Sequence, residues 1–206
     1  KSPTFIRLVM TILDYFLKNE RDIPDKTFLS QPEGSSWKNY SWRDCGMKAR
    51  ELLFALKGSG FKKGDRISIL SANCAEWIIS DLALMMGGYV SVPLYANTDP
   101  SSMVKILKDS GSRLVLVGNL NAKDWSSQRE AIPEEIKVVS MDGYHKKGTI
   151  PYSEFCSGQA AEVEAIATDS VMTIIYTSGT TGDPKGVVHT FGSINKAVEV
   201  ASEEVG

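Results

Sequence analysis

Short apolar runs alternate with longer segments of helical period along most of this chain, and that rhythm restricts the fold more than any other feature. Residues 66–70 read as a strand, 75–86 as a mostly apolar helix, and 90–94 as a second strand interrupted by Pro93. Asp99 or Pro100 starts the next helix, which runs to residue 110, and residues 113–117 supply another short buried strand. Residues 137–141 make a further β-branched run, and 171–176 the last strand. Strands that carry apolar residues at nearly every position, with helices between them, imply an α/β fold. Its sheet should be largely parallel and covered by helices on both faces.

The helix ends are marked locally. Ser41 followed three residues later by Asp44 resembles a capping box, and Leu52, Leu53 and Leu56 continue an apolar stripe to Gly58. Gly58, Gly60 and Gly64 approximate a dinucleotide fingerprint, but the spacing is one residue too long and they follow a helix, so they read as a helix stop and turn. Residues 5–17, interrupted by Arg7, Thr11 and Asp14, read as an amphipathic first helix and not a signal segment. Ile194, Ala197, Val198 and Ala201 share one face of a closing helix, whereas 144–167 should be irregular. Met85, Met86, Trp42 and Trp77 are expected to pack the core or its boundary. No repeat or linker divides the chain, so a single layered α/β unit is expected.

Charge and cysteine usage narrow the partners. The formal net charge is -2 over 206 residues, which gives no basic footprint for nucleic acid. The pairs Lys62-Lys63 and Lys146-Lys147 read as solvated surface. Cys45, Cys74 and Cys156 form no C-x-x-C pair, which suits small buried hydrophobes in a reducing, cytoplasmic setting. No run reaches the ~18 apolar residues that a bilayer span needs, so membrane contact is expected to be peripheral at most.

The chemistry concentrates in residues 176–187, Tyr-Thr-Ser-Gly-Thr-Thr-Gly-Asp-Pro-Lys-Gly-Val. Gly179, Gly182 and Gly186 let the backbone approach an anion and turn N–H groups toward it. Thr177, Ser178, Thr180 and Thr181 can donate hydroxyl hydrogen bonds to phosphate oxygens, while the Tyr176 phenol should face elsewhere. Lys185 adds a mobile point charge whose approach Pro184 stiffens. A charge-assisted hydrogen bond of that kind is worth roughly 1.5–3 kcal/mol.

Two familiar loops fail on spacing. A Walker A loop needs glycine before its lysine and Ser or Thr after, but Pro184 precedes Lys185 and Gly186 follows. A hydrolase elbow needs G-x-S-x-G, whereas Tyr176 stands two places before Ser178, and no motif assigns His145 or His189 as its base.

The string over 176–187 resembles the phosphate loop of the adenylate-forming superfamily, which includes acyl-CoA synthetases, luciferases and peptide-synthetase adenylation domains. Similarity extends to Tyr40-Ser-Trp42, to residues 63–67, to Ser71-Ala-Asn-Cys-Ala-Glu-Trp77 and to Val92-Pro-Leu-Tyr95, and looks most like the long-chain fatty acyl-CoA synthetases. The resemblance implies that residues 1–206 belong to the large amino-terminal domain of such an enzyme. It implies ATP-dependent activation of a carboxylic acid, a fatty acid first of all, through an acyl-adenylate to a coenzyme A thioester. Thr177, Ser178, Gly179, Thr180, Thr181, Gly182 and Lys185 would hold the β- and γ-phosphates, with Lys185 offsetting charge on the departing pyrophosphate and Thr177 touching Mg²⁺.

Two departures qualify the resemblance. Phe191 stands where a histidine is common after the loop. The family's adenine, ribose and acyl-pocket motifs and its small carboxy-terminal domain are not found within residue 206, so the chain alone is expected to make no acyl-CoA. A ligase for an aryl or amino acid, or a noncatalytic interaction module retaining the loop, remain the alternatives.

Overall fold

The structure is a computed structural model that describes residues 10–178 and 183–205, with Ser178 and residues 201–205 as backbone only. Helix α1 spans Ile12–Asp22. It starts later and runs further than the expected 5–17, because Thr11 is its N-cap. The Thr11 hydroxyl accepts from the Asp14 N–H at 3.1 Å, and the Asp14 carboxylate accepts from the Thr11 N–H at 2.7 Å. Beyond Leu17 the sequence turns polar and shows no apolar period, yet the helix continues through an exposed Lys18–Asp22 pair one turn apart.

Strands β1 (Thr27–Glu33) and β2 (Ser36–Ser41) pair antiparallel as a separate hairpin. No clear apolar period marks these residues, since both strands are mostly exposed. Helix α2 (Trp42–Gly58) follows directly with the expected Ser41–Asp44 box, and Gly60 and Gly64 then adopt φ of +81° and +86°, consistent with the helix stop and turn. Trp42 stacks on Phe28 with ring centroids 4.0 Å apart, and Phe16 of α1 completes the cluster.

The main sheet is built from β3 (Arg66–Leu70), α3 (Ala75–Gly87), β4 (Val90–Leu94), α4 (Pro100–Ser110), β5 (Leu114–Val117), α5 (Ala122–Ala131) and β6 (Lys137–Ser140). After the one-turn helix α6 (Tyr152–Phe155) within the irregular stretch come β7 (Val171–Ser178), β8 (Pro184–Thr190) and α7 (Phe191–Val205). Its six strands lie in the order β6-β5-β3-β4-β7-β8, and all neighbours are parallel except β8, which runs antiparallel to β7 at the edge. Helix α5 and strand β8 went unread in the sequence. The first is mostly polar with only Trp125 and Gln128 buried, and the second is a largely exposed edge strand.

Two apolar layers cover the sheet. On one face Leu13, Leu53, Met86 and Phe191, from α1, α2, α3 and α7, pack with Ile67, Ile69, Leu114 and Leu116 of the strands. On the other, Met103 and Leu107 of α4 and Trp125 of α5 pack with Val92, Val115, Val117 and Tyr176. Alternate side chains of each strand therefore serve opposite layers, as the apolar runs require. No described helix is long and apolar enough to cross a membrane.

Asp81 on α3 is only half-exposed, and burial pushes its carboxyl up to about 6. The folded state thus holds this proton more tightly than the unfolded chain. The associated stability is complete below about pH 4 and is lost as pH rises through about 6. Asp81→Asn should flatten that part of the pH–stability profile and raise stability at neutral pH by about 1–2 kcal/mol, discounted for partial exposure. Urea unfolding of the parent and variant at pH 4 and pH 7.5 checks the sign, since equal gains at both values would rule Asp81 out.

Candidate functional site

The chemistry-bearing segment lies at the loop end of the β7–β8 hairpin. The ladder pairs Ser178 with Pro184, Thr177 with Lys185, and Tyr176 with Gly186. Side chains alternate along strands, so the opposed pair Thr177 and Lys185 shares one face and Tyr176 and Gly186 share the other. Thr177 and Lys185 are both exposed, and the Lys185 ammonium makes no hydrogen bond or ion pair with another described residue. Pro184 is half-buried beside them. Gly179, Thr180, Thr181, Gly182 and the Ser178 hydroxyl fall outside the described residues.

The opposite face of the hairpin is anchored. Tyr176 is 7% exposed, and its phenol points away from the loop, as expected, donating to Asp109 Oδ2 on α4 at 2.6 Å. Burial, with the nearby carboxylate adding to it, raises the phenol well above its usual range. A Cβ at Gly186 would stand 2.9 Å from Ile174 Cγ2 and 3.0 Å from Tyr176 Cζ. That glycine therefore has a packing reason of its own, independent of any anion. Asp183, where the chain re-enters the hairpin, pairs with Lys105 of α4 at 2.6 Å. Lys105 holds the Asp183 carboxyl low, and Asp183 holds the Lys105 ammonium high.

Beside the β7 stem an open cleft of about 690 Å³ lies at the carboxyl ends of the strands, lined in part by Ser71, Asn73, Trp77, Tyr95, Asn97 and Tyr176. Strand β3 leads into α3 on one face and β4 leads into α4 on the other, so this is a topological switch point, the place where open α/β sheets form crevices. The β4–β7 pairing is limited to Ser91 and Thr173. Pro93, two residues on, has no N–H to extend it. Pro93 and Leu94 instead line the cleft across from Ile175 and Tyr176. The sequence singled out 71–77 and 92–95 only as points of resemblance. Their common position, at the carboxyl ends of two strands whose helices diverge, is the signal that marks a cleft.

Other conspicuous groups are structural. Glu76 is buried and accepts the Tyr40 phenol at 2.6 Å, tying the β1–β2 hairpin to α3. Burial pushes the Cys45 thiol up to about 12 and the Cys156 thiol up to about 11, which agrees with a packing role. Among the described residues no three His, Cys, Asp or Glu side chains gather as a metal site.

Comparison with known proteins agrees with this fold. The fatty acyl-CoA synthetase A of Dictyostelium discoideum is 27% identical over 196 residues, covering 85% of this chain and 28% of that protein. The 4-coumarate–CoA ligase 3 of Arabidopsis thaliana is 28% identical over 172 residues, covering 80% of this chain and 29% of that protein. The chain thus spans less than a third of the length of these curated relatives. Among solved structures, the anthranilate CoA ligase AuaEII in complex with anthranoyl-AMP superposes with a TM-score of 0.74 at 25% identity, over 88% of this chain and 35% of that one. The family model described as AMP-binding enzyme matches residues 16–205, nearly the whole chain and the whole hairpin with its loop. On that match, and on a fold shared with solved adenylate-forming enzymes, this chain belongs to the AMP-binding enzyme family.

Proposed function

We propose that the complete protein carrying this chain is an acid–CoA ligase. It would join a carboxylic acid, a fatty acid in the reading we favour, to the α-phosphate of ATP and then pass the acyl group to coenzyme A. The single observation that carries the reading is the opposed pair Thr177 and Lys185 at the mouth of the loop, a hydroxyl and an ammonium with no partner among the described residues, on one exposed face. That pair fits polyphosphate oxygens, which accept both donors.

In this reading Lys185 and the loop donors Thr177, Ser178, Gly179, Thr180, Thr181 and Gly182 hold the β- and γ-phosphates, and Pro184 and Gly186 shape the strand that presents Lys185. Charge grows on pyrophosphate as its bond to the α-phosphate breaks, and a fixed cation there lowers the barrier more than it tightens binding. Thr177 would give Mg²⁺ one hydroxyl ligand, the phosphates supplying most of the rest. No described residue is assigned to coenzyme A.

The aryl-acid reading has a specific observation in its favour, since the 4-coumarate relative is as similar to this chain as the fatty acyl one. Incubating the complete protein with ATP, Mg²⁺, coenzyme A and a panel of fatty, aryl and amino acids separates the two. AMP release should be strongest with fatty acids. Preference for an aryl acid would replace the substrate class, and no AMP release with any acid would sink the ligase reading.

A further inference from the structure

Lys105 and Asp109 stand one helical turn apart on α4, and each holds a different stem of the hairpin. Asp109 accepts the Tyr176 phenol at 2.6 Å, and Lys105 pairs with Asp183 at 2.6 Å. Tyr176 is the last residue described as buried before the loop and Asp183 the first described residue after it. The strand then reaches Lys185 two residues later. The absence of a side chain at Gly186 leaves room for the Tyr176 ring that makes the first of these contacts.

The two contacts differ in kind. The Tyr176–Asp109 bond is partly buried and charge-assisted, whereas Lys105 and Asp183 are both largely exposed. An exposed pair adds little to global stability. Its consequence is geometric, because it ties the backbone from which Lys185 projects to a helix packed on the sheet. The loop therefore does not hang from its own ladder alone: both of its ends are fastened to one face of α4.

We propose that Lys105 and Asp109 are positioning residues that, through Asp183 and Tyr176, set where the Lys185 ammonium stands. The proposal deepens the function proposed above and rests on it for its kinetic readout. It also makes a structural claim that can be read without activity.

The test uses the complete protein with Lys105→Glu, Tyr176→Phe, the exchanged pair Lys105→Asp with Asp183→Lys, and Lys185→Ala as the reference. Lys105→Glu and Tyr176→Phe should each lower kcat for acid-dependent adenylation by about five- to tenfold, with KM for the acid within about twofold. The exchanged pair should return kcat to within about twofold of the parent. Amide hydrogen exchange over residues 184–190 should quicken by about tenfold in the two single variants while the β3 and β5 amides keep their rates. The proposal is overturned if both single variants keep parental kcat and parental exchange. It is equally overturned if activity falls together with protection throughout the sheet and the exchanged pair restores nothing. Should Lys185→Ala be silent, the phosphate reading fails separately, and exchange over 184–190 alone decides whether α4 holds the hairpin.

Discussion

Replacing Lys185 with alanine in the complete protein is expected to slow acid-dependent exchange of pyrophosphate into ATP by roughly ten- to a hundredfold. Among the described residues none partners the ammonium, so none of them competes with a ligand for its hydrogen bonds. The expected loss should fall on kcat more than on KM for the acid, because the cation meets its strongest counter-charge as pyrophosphate departs. Global stability should stay within about 0.5 kcal/mol, since the side chain is exposed and no packing is lost. Lys185→Arg should recover only part of the rate, as a planar guanidinium does not replace a compact point charge. Parental exchange rates in Lys185→Ala would leave the noncatalytic reading of the loop standing.

The second large effect lies on the far side of the hairpin. Phe191 opens α7 with 0% exposure, its N–H bonded to the Ser170 carbonyl at 3.1 Å and its ring within the α1–α2–α3 layer. Phe191→Ala removes a whole ring from a packed interior, and such truncations cost about 3–5 kcal/mol. Chemical denaturation of the complete protein should show that loss, with Phe191→Leu recovering most of it because the volume is largely kept. A cost below about 1 kcal/mol for the alanine variant would mean that the ring is not buried as described. The resemblance leads to the expectation of a histidine at position 191, and the surroundings of Phe191 suit the aromatic ring in its place. A fully buried apolar site holds phenylalanine without a hydrogen-bond partner, and an imidazole there would need one.

How much of this could be read beforehand depended on how local each signal was. The Ser41–Asp44 box, the Asp99 cap with Pro100 behind it and the apolar strands 66–70 and 90–94 all appear within a residue or so of their expected limits. Their causes lie within a few residues of chain: a cap satisfies orphan N–H groups three positions on, and a doubly buried strand is apolar throughout. The first helix begins later than the apolar positions suggest because Thr11, which interrupts them, is its cap. Helix α5 escaped because its burial rests on two side chains, and β8 because an edge strand with exposed valines at 187 and 188 has no alternation to detect.

Sequence alone determined the strand and helix rhythm, most helix ends and the composition of the anion-suited loop, since each follows from interactions between near neighbours in the chain. Only the tertiary structure decided that Thr177 faces Lys185, that Gly186 makes room for Tyr176, that α4 grips both hairpin stems, and that a cleft opens where β3 and β4 send their helices apart. Those contacts join residues as much as 78 positions apart, and which distant segments meet is fixed by the burial of both sheet faces together, not by any local pattern.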